Sequence, residues 1–252
     1  SFGKVDKADL EMKDCDFDPG AEALQLIDVG DIIFSYVQNV GWQSESSYRV
    51  RIKIFKASAF KKAQIKIRYY SQDNRQEIYK INGASYNLDE AGNVAESKLE
   101  NQAIFDKQID KEYSEISFAL PEVKVGTVFE YKYKMLHKSF GYIPTWTFQQ
   151  SIPVKYSAYN IIIPEYFQFT VQAVRRQEMQ KIEEESINGG TWYIMRNLPG
   201  LKKEPYSSGT KEYLQRVEFQ LTKISAPNYY EEIRSTWPKI INEMLEDEEF
   251  GI

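Results

Sequence analysis

The chain has 252 residues, with 32 Lys and Arg against 37 Asp and Glu, for a formal net charge of −5. That balance carries no basic footprint for nucleic acid, and no apolar run approaches the roughly 18 residues that a membrane-spanning helix needs. Hydrophobic residues make up 42% and aromatic residues 14%, enough to bury a sizeable core in one large domain or two smaller ones.

The 18 Tyr and 14 Phe suit strands with one wetted face. A single Cys excludes an intrachain disulfide and leaves the compartment open. The N-terminal stretch SFGKVDKADL is not the apolar core of a signal peptide, so any export signal is expected to have been removed from this sequence.

In chain order, Val5, Ala8 and Met12 give a weak helical period, with Asp6 in capping position. Asp18-Pro19 can open one helical turn. Ala23 to Asp28 and Ile32 to Val40 read as a strand pair around a Gly30-Asp31 turn. Tyr48 to Phe55 is the cleanest amphipathic strand: Val50, Ile52 and Ile54 face one way, and Arg49, Arg51 and Lys53 the other. Lys56 to Gln64 holds good helix formers for one or two turns. Ile65 to Tyr70 is a strand, and the segments around Gly83 suggest a hairpin. Further strands are expected over 98–107 and 109–118.

Glu115 to Met135 reads as strand, turn, strand. Pro121 stops the first ladder because it lacks an N–H, Gly126 supplies the flexible turn position, and Val128 to Tyr133 resumes alternation. Thr145 to Gln150, Tyr156 to Ile163 and Phe167 to Val174 alternate in turn. Asn188-Gly189-Gly190 is the strongest hairpin signal, and Tyr213 to Leu221 is a last strand. Trp237, Ile240, Ile241, Met244 and Leu245 then form one apolar helical stripe. The pattern predicts an all-β (mainly β) protein: an antiparallel, sandwich-like architecture with a few short helices and a C-terminal amphipathic helix. A division into two lobes is expected near Pro153, where long hairpins give way to a second strand series.

Candidate chemistry is sparse. Cys15 and His137 are the only Cys and His, but Asp14, Asp16 and Asp18 surround the thiol and disfavour its thiolate. No second His or Cys exists to complete a transition-metal site. Asp14, Asp16 and Asp18 imitate the start of a calcium loop, which then fails at Pro19 and Gln25. No cofactor is implied, and pairs among 37 acidic residues are inevitable. Arg49, Arg51 and Lys53 are either a solvated sheet face or a platform for phosphate or polysaccharide. Trp42, Trp146, Trp192 and Trp237 are either packed or available to stack a sugar.

Several segments resemble one family. Leu120-Pro121 through Glu130-Tyr131, Trp146 through Ser157, Asn197 through Tyr206, and Phe2-Gly3-Lys4 with Asp18 to Ala23 are similar, in order, to motifs of the DUF3857 family, whose members are common in Bacteroidetes. The tail from Trp237 to Gly251 resembles the helix that leads into that family's transglutaminase-like neighbour. The resemblance implies a DUF3857-like β region over 1–230, and a helix or linker over 231–252 toward a domain outside this sequence.

It also implies periplasmic or extracellular location, with no catalytic residue to carry over. The expected function is a non-catalytic accessory module that positions or regulates a C-terminal transglutaminase-like (Cys-His-Asp) domain of the same polypeptide. The alternative is a cell-envelope glycan- or peptide-binding module using Arg49, Arg51, Lys53, Trp146 and Trp192. A hydrolase with paired carboxylates is a third expectation, whose sign would be a cleft holding two close acids.

Overall fold

The computed structural model describes residues 2–174, 182–187, 189–201, 214–227 and 229–233. The amphipathic stripe from Trp237 to Leu245 lies outside them, as do residues 202–206 of the segment from Asn197 to Tyr206. Strand β1 (Ala23–Val37) and strand β2 (Gly41–Ile54) form a long antiparallel hairpin around which the fold is assembled. The expected turn at Gly30-Asp31 is instead strand interior, with Gly30 paired to Tyr48. The glycine is there for close approach: a Cβ would lie 2.9 Å from Tyr159 Cδ2 and would overlap Trp146 Cζ3 and Cη2.

Beyond a 3-10 turn (Ala57–Ala63) come β3 (Gln64–Tyr70), β4 (Gln76–Leu88), β5 (Val94–Lys98), β6 (Phe105–Gln108), β7 (Tyr113–Ala119), β8 (Val128–His137) and β9 (Trp146–Thr147). The remainder is β10 (Val154–Ile162), β11 (Phe167–Val174), β12 (Glu183–Ile187), β13 (Gly190–Leu198), β14 (Arg216–Ala226) and β15 (Tyr229–Glu232), the last unanticipated from the sequence. Helix α1 (Lys7–Glu11) is the single α-helix among the described residues. The mainly β architecture is as expected.

An eight-stranded sheet has the order β12-β13-β10-β1-β2-β8-β4-β5. Its neighbours are antiparallel except β1 and β10, which run parallel. Two smaller sheets, β3-β7-β6 and β11-β14-β15 with β9 on β14, form the second layer. The large sheet therefore runs through position 153, because Val154 to Ile162 pairs with β1. The twofold division lies in the covering layer. Likewise the two strands of Glu115 to Met135 are not a hairpin: β7 joins the small sheet and β8 the large one, with Gly126 at φ +92° in the connection.

Strand alternation assigns the faces of the large sheet. On its covered face, Ile32, Phe34, Tyr159 and Ile161 pack against Phe148, Phe167, Val217 and Leu221. Ile52, Phe129 and Met135 pack against Ile65, Ile67, Ile116 and Phe118. Each such side chain stabilises by roughly 1.5–3 kcal/mol on burial. Among the described residues, the opposite, outer face is sealed at one end. There the N-terminal segment packs Leu10 and Cys15 on Leu24, Leu26, Tyr86 and Val128.

Candidate functional site

The outer face begins with a row of cations at alternate positions of β2, and the structure separates their roles. Lys53 and Arg51 are 0% and 4% exposed, so neither is the solvated or ligand-facing residue that alternation alone allows. Lys53 Nζ donates to the carbonyls of Leu10 and Gly126, each at 2.6 Å. Burial brings its ammonium down to about 8, with the charge of Lys13 adding to the effect. Arg51 donates to Glu130 Oε2 from Nε at 3.1 Å and Nη2 at 2.9 Å, and Nη2 also reaches the Lys4 carbonyl at 2.8 Å. Glu130 is fully buried and also accepts from Gly3 N–H and Tyr86 Oη–H. These charges tie the N-terminal segment to the sheet.

Arg49, the next in the row, is different. Its side chain is 24% exposed, and Nη2 lies 3.4 Å from Glu130. Its Nε is buried with no hydrogen-bond partner. Arg49 opens into a cavity of about 290 Å³ on the uncovered part of the outer face, lined also by Val29, Asp31, Ser47, Lys80, Asn82, Lys132 and Lys134. Each position follows from register: Arg49 stands opposite Val29 on β1 and Lys132 on β8, and Ser47 opposite Asp31 and Lys134.

Lys80 enters by another device. The region around Gly83 is not a hairpin but one strand with a bulge between Tyr79 and Asn82, opposite Lys134 and Lys132. Lys80 occupies that bulge at φ +52°, a conformation that costs a non-glycine residue free energy. Gly83 beside it is a close approach, since a Cβ would lie 2.7 Å from Leu120 Cδ1.

The groove is cationic with one acid at its edge. Lys132 Nζ sits 4.5 Å from the Phe2 ring centroid. Lys134 and Tyr79 Oη both bond Glu45. Burial acts to raise the Glu45 carboxyl, but these bonds and the charges of Lys134 and Lys80 bring it below the usual range. Burial raises the Asp31 carboxyl, opposed by a hydrogen bond from Asn160 and by Lys134. Asn160 Nδ2 donates to Asp31 Oδ1 at 3.2 Å. Asp31 is the sole carboxylate in the lining, so the groove does not hold the pair of acids that a carboxylate hydrolase needs.

The other candidates fall elsewhere. Trp146 is buried behind Gly30, stacked on Tyr159 at 4.8 Å with Nε1–H donating to Ser157 Oγ at 3.0 Å. It presents no ring to a ligand. Trp192, half-buried, pairs with Asn160 on the far side of β10, outside the groove. Cys15 is buried on the outer face, where desolvation and the charges of Asp16 and Asp18 raise its thiol against two backbone hydrogen bonds. His137 is buried on the covered face, bonded to Gln76 Nε2 at 3.1 Å and Ser46 Oγ at 3.2 Å, and desolvation lowers it to about 4. The sheet stands between the two.

Asp14 accepts from Cys15 N–H and Gly20 N–H, and Asp18 from Gly200 N–H, so both serve loop geometry; Asp18-Pro19 lies in a turn, not a helix. Among the described residues no three His, Cys, Asp or Glu side chains converge on a metal position. The groove itself escaped sequence reasoning, apart from Arg49. Its other cations come from β4 and β8, and only the positive-φ bulge delivers Lys80.

The fold and groove define a mainly β scaffold presenting a charged sheet face. The chain belongs to the DUF3857 family, a domain of unknown function with solved structures, whose profile matches residues 43–200. Among solved structures it is similar to one described as a "putative protease" from Parabacteroides distasonis, with 18% identity and a TM-score of 0.60. The likeness covers 79% of this chain but 40% of that one, and at this identity it concerns the fold alone. No curated protein sequence matches the chain.

Proposed function

We propose that this chain is a non-catalytic accessory module of a longer, exported bacterial protein, positioning or regulating a C-terminal transglutaminase-like domain. The observation that carries the reading is the separation of Cys15 from His137. Both are buried, on opposite faces of one sheet, so the chain's only thiol has no imidazole base within reach. The likeness to a chain about twice as long supports a part that works beside another part. Turnover assays on residues 1–252 with transglutaminase and peptidase substrates test this. No turnover is expected; turnover that Cys15→Ala abolishes refutes it.

A second reading, a cell-envelope module that binds a glycan or peptide, is favoured by the cationic groove. The two readings are compatible, since a module can serve a neighbouring domain by holding its substrate.

A further inference from the structure

We infer that the groove is a binding site for an extended acidic peptide segment, with alternate carboxylates seated on its cations. The inference rests on the binding reading above and is independent of which domain the chain serves. Spacing is the first argument. Lys132 and Lys134 are alternate residues of β8, so they repeat along the strand at about 7 Å, and Arg49 stands across from Lys132 at about 5 Å. An extended peptide repeats its own alternate side chains at the same ~7 Å. Acidic residues at i and i+2 can therefore meet Lys134 and the Lys132–Arg49 pair together, with Lys80 on the flank.

Unmet bonding capacity is the second argument. Arg49 Nε is buried without a hydrogen-bond partner and Nη2 reaches Glu130 only at 3.4 Å, so the partly exposed guanidinium keeps donor capacity. A carboxylate is the group whose geometry suits a guanidinium. The lining sets Arg49, Lys80, Lys132 and Lys134 against Asp31; Glu45 is bonded to Lys134, and Glu130, which faces Arg49, is shared with Arg51, so positive charge remains in excess. The attraction left over is for an anion.

The third argument separates peptide from glycan. Tyr48 and Tyr133, the aromatic residues of the lining, alternate toward the covered face, where they stack on each other at 4.7 Å and continue toward Trp146. Gly30, which Trp146 overlies, belongs to the covered face of the sheet. The groove thus lacks a flat indole for a sugar. The same outer face already holds polypeptide backbone, since Glu130 accepts from Gly3 N–H and Arg51 donates to the Lys4 carbonyl.

The test is fluorescence anisotropy on residues 1–252 with a labelled octapeptide of alternating Glu and Ser, at low salt. Saturable binding is expected, weakened about tenfold or more by Lys80→Ala with Lys132→Ala. It should be unchanged by Lys107→Ala, an exposed cation on β6. Neither groove lysine is buried, so circular dichroism should show the variant folded.

A peptide of the same composition with its Glu residues in one block should bind several-fold more weakly. Equal binding of the two peptides reduces the attraction to unspecific charge and overturns the proposal. So does absence of saturable binding, or tighter binding of an oligo-uronate of equal charge, which would transfer the site to a glycan. Failure here leaves the accessory role standing, because that role is judged by turnover. Turnover by the chain refutes the accessory role and leaves the groove's occupancy to this experiment.

Discussion

Asp28 offers the sharpest test of how the two layers meet. It projects from β1 into the covered face, level with Val50 and Ser157, and is 6% exposed. Desolvation raises its carboxyl from 3.8 to about 7, against hydrogen bonds from Gln25 and Gln150. Its charge in turn helps to raise the hydroxyls of Tyr131 and Tyr133, whose own burial is the larger cause. The folded form therefore holds a proton that the unfolded form releases near pH 4.

Between about pH 4 and pH 7 the unfolded chain binds fewer protons, so stability falls as pH rises through that window. At 1.36 kcal/mol per pH unit, the displacement from 3.8 to about 7 corresponds to a loss on the order of 4 kcal/mol above pH 7. Asp28→Asn removes the ionisation and keeps the shape. Chemical denaturation of both proteins from pH 4 to pH 8 should give a difference that grows in favour of Asp28→Asn and levels off above pH 7. A difference that stays flat across the window would mean that Asp28 ionises in the ordinary carboxylate range, and the burial argument would fail.

Three further outcomes follow from other buried groups. Gly30→Ala should destabilise by about 1–3 kcal/mol through overpacking, because the new Cβ meets the Trp146 and Tyr159 rings; the denaturation midpoint measures it, and Trp146 emission should shift with it. Glu130→Ala should cost about 3–5 kcal/mol, since Arg51 and Arg49 lose the carboxylate that compensates them; a loss below 1 kcal/mol would show that solvent replaces it. His137, lowered to about 4 by burial, should stay neutral at pH 5.5 in nitrogen NMR shifts. Its unfolded form takes up a proton below about 6.5, so this residue makes stability fall as pH drops from 6.5 toward 4, opposite in sign to Asp28. A ring that titrates near 6.5 in the folded protein contradicts this.

Period-two alternation made most strands legible, and the turn signal at 188–190 correctly gave the β12–β13 hairpin, which closes with Ile187 opposite Gly190. Glycine was the commonest source of error. A missing Cβ serves equally for a turn and for close approach, and local sequence does not distinguish them. At Gly30 the deciding rings, Trp146 and Tyr159, stand more than a hundred residues away; at Gly83 the deciding neighbour is Leu120. The Glu115 to Met135 segment is strand, turn, strand as read, and it shows a related limit. Alternation reports that a strand has two faces, not which sheet it joins, and β7 and β8 join different ones.

The candidate site illustrates the same limit with charges. Lys53, Arg51 and Arg49 have one spacing, one strand and one face, yet three fates. Lys53 is enclosed and holds two carbonyls, Arg51 is enclosed and holds a carboxylate, and Arg49 is left with a donor unmet beside an open cavity. What separates them is cover. The segment from Phe2 to Cys15 seals the first two, its backbone supplying the carbonyls of Lys4 and Leu10. Burying a cation costs free energy unless an acceptor comes with the cover. Where the N-terminal segment brings acceptors, the row is structural. At Arg49 the row keeps a partly exposed guanidinium, held by Glu130 through Nη2 with Nε unmet, and one amphipathic strand serves as both a clamp and a lining of the groove.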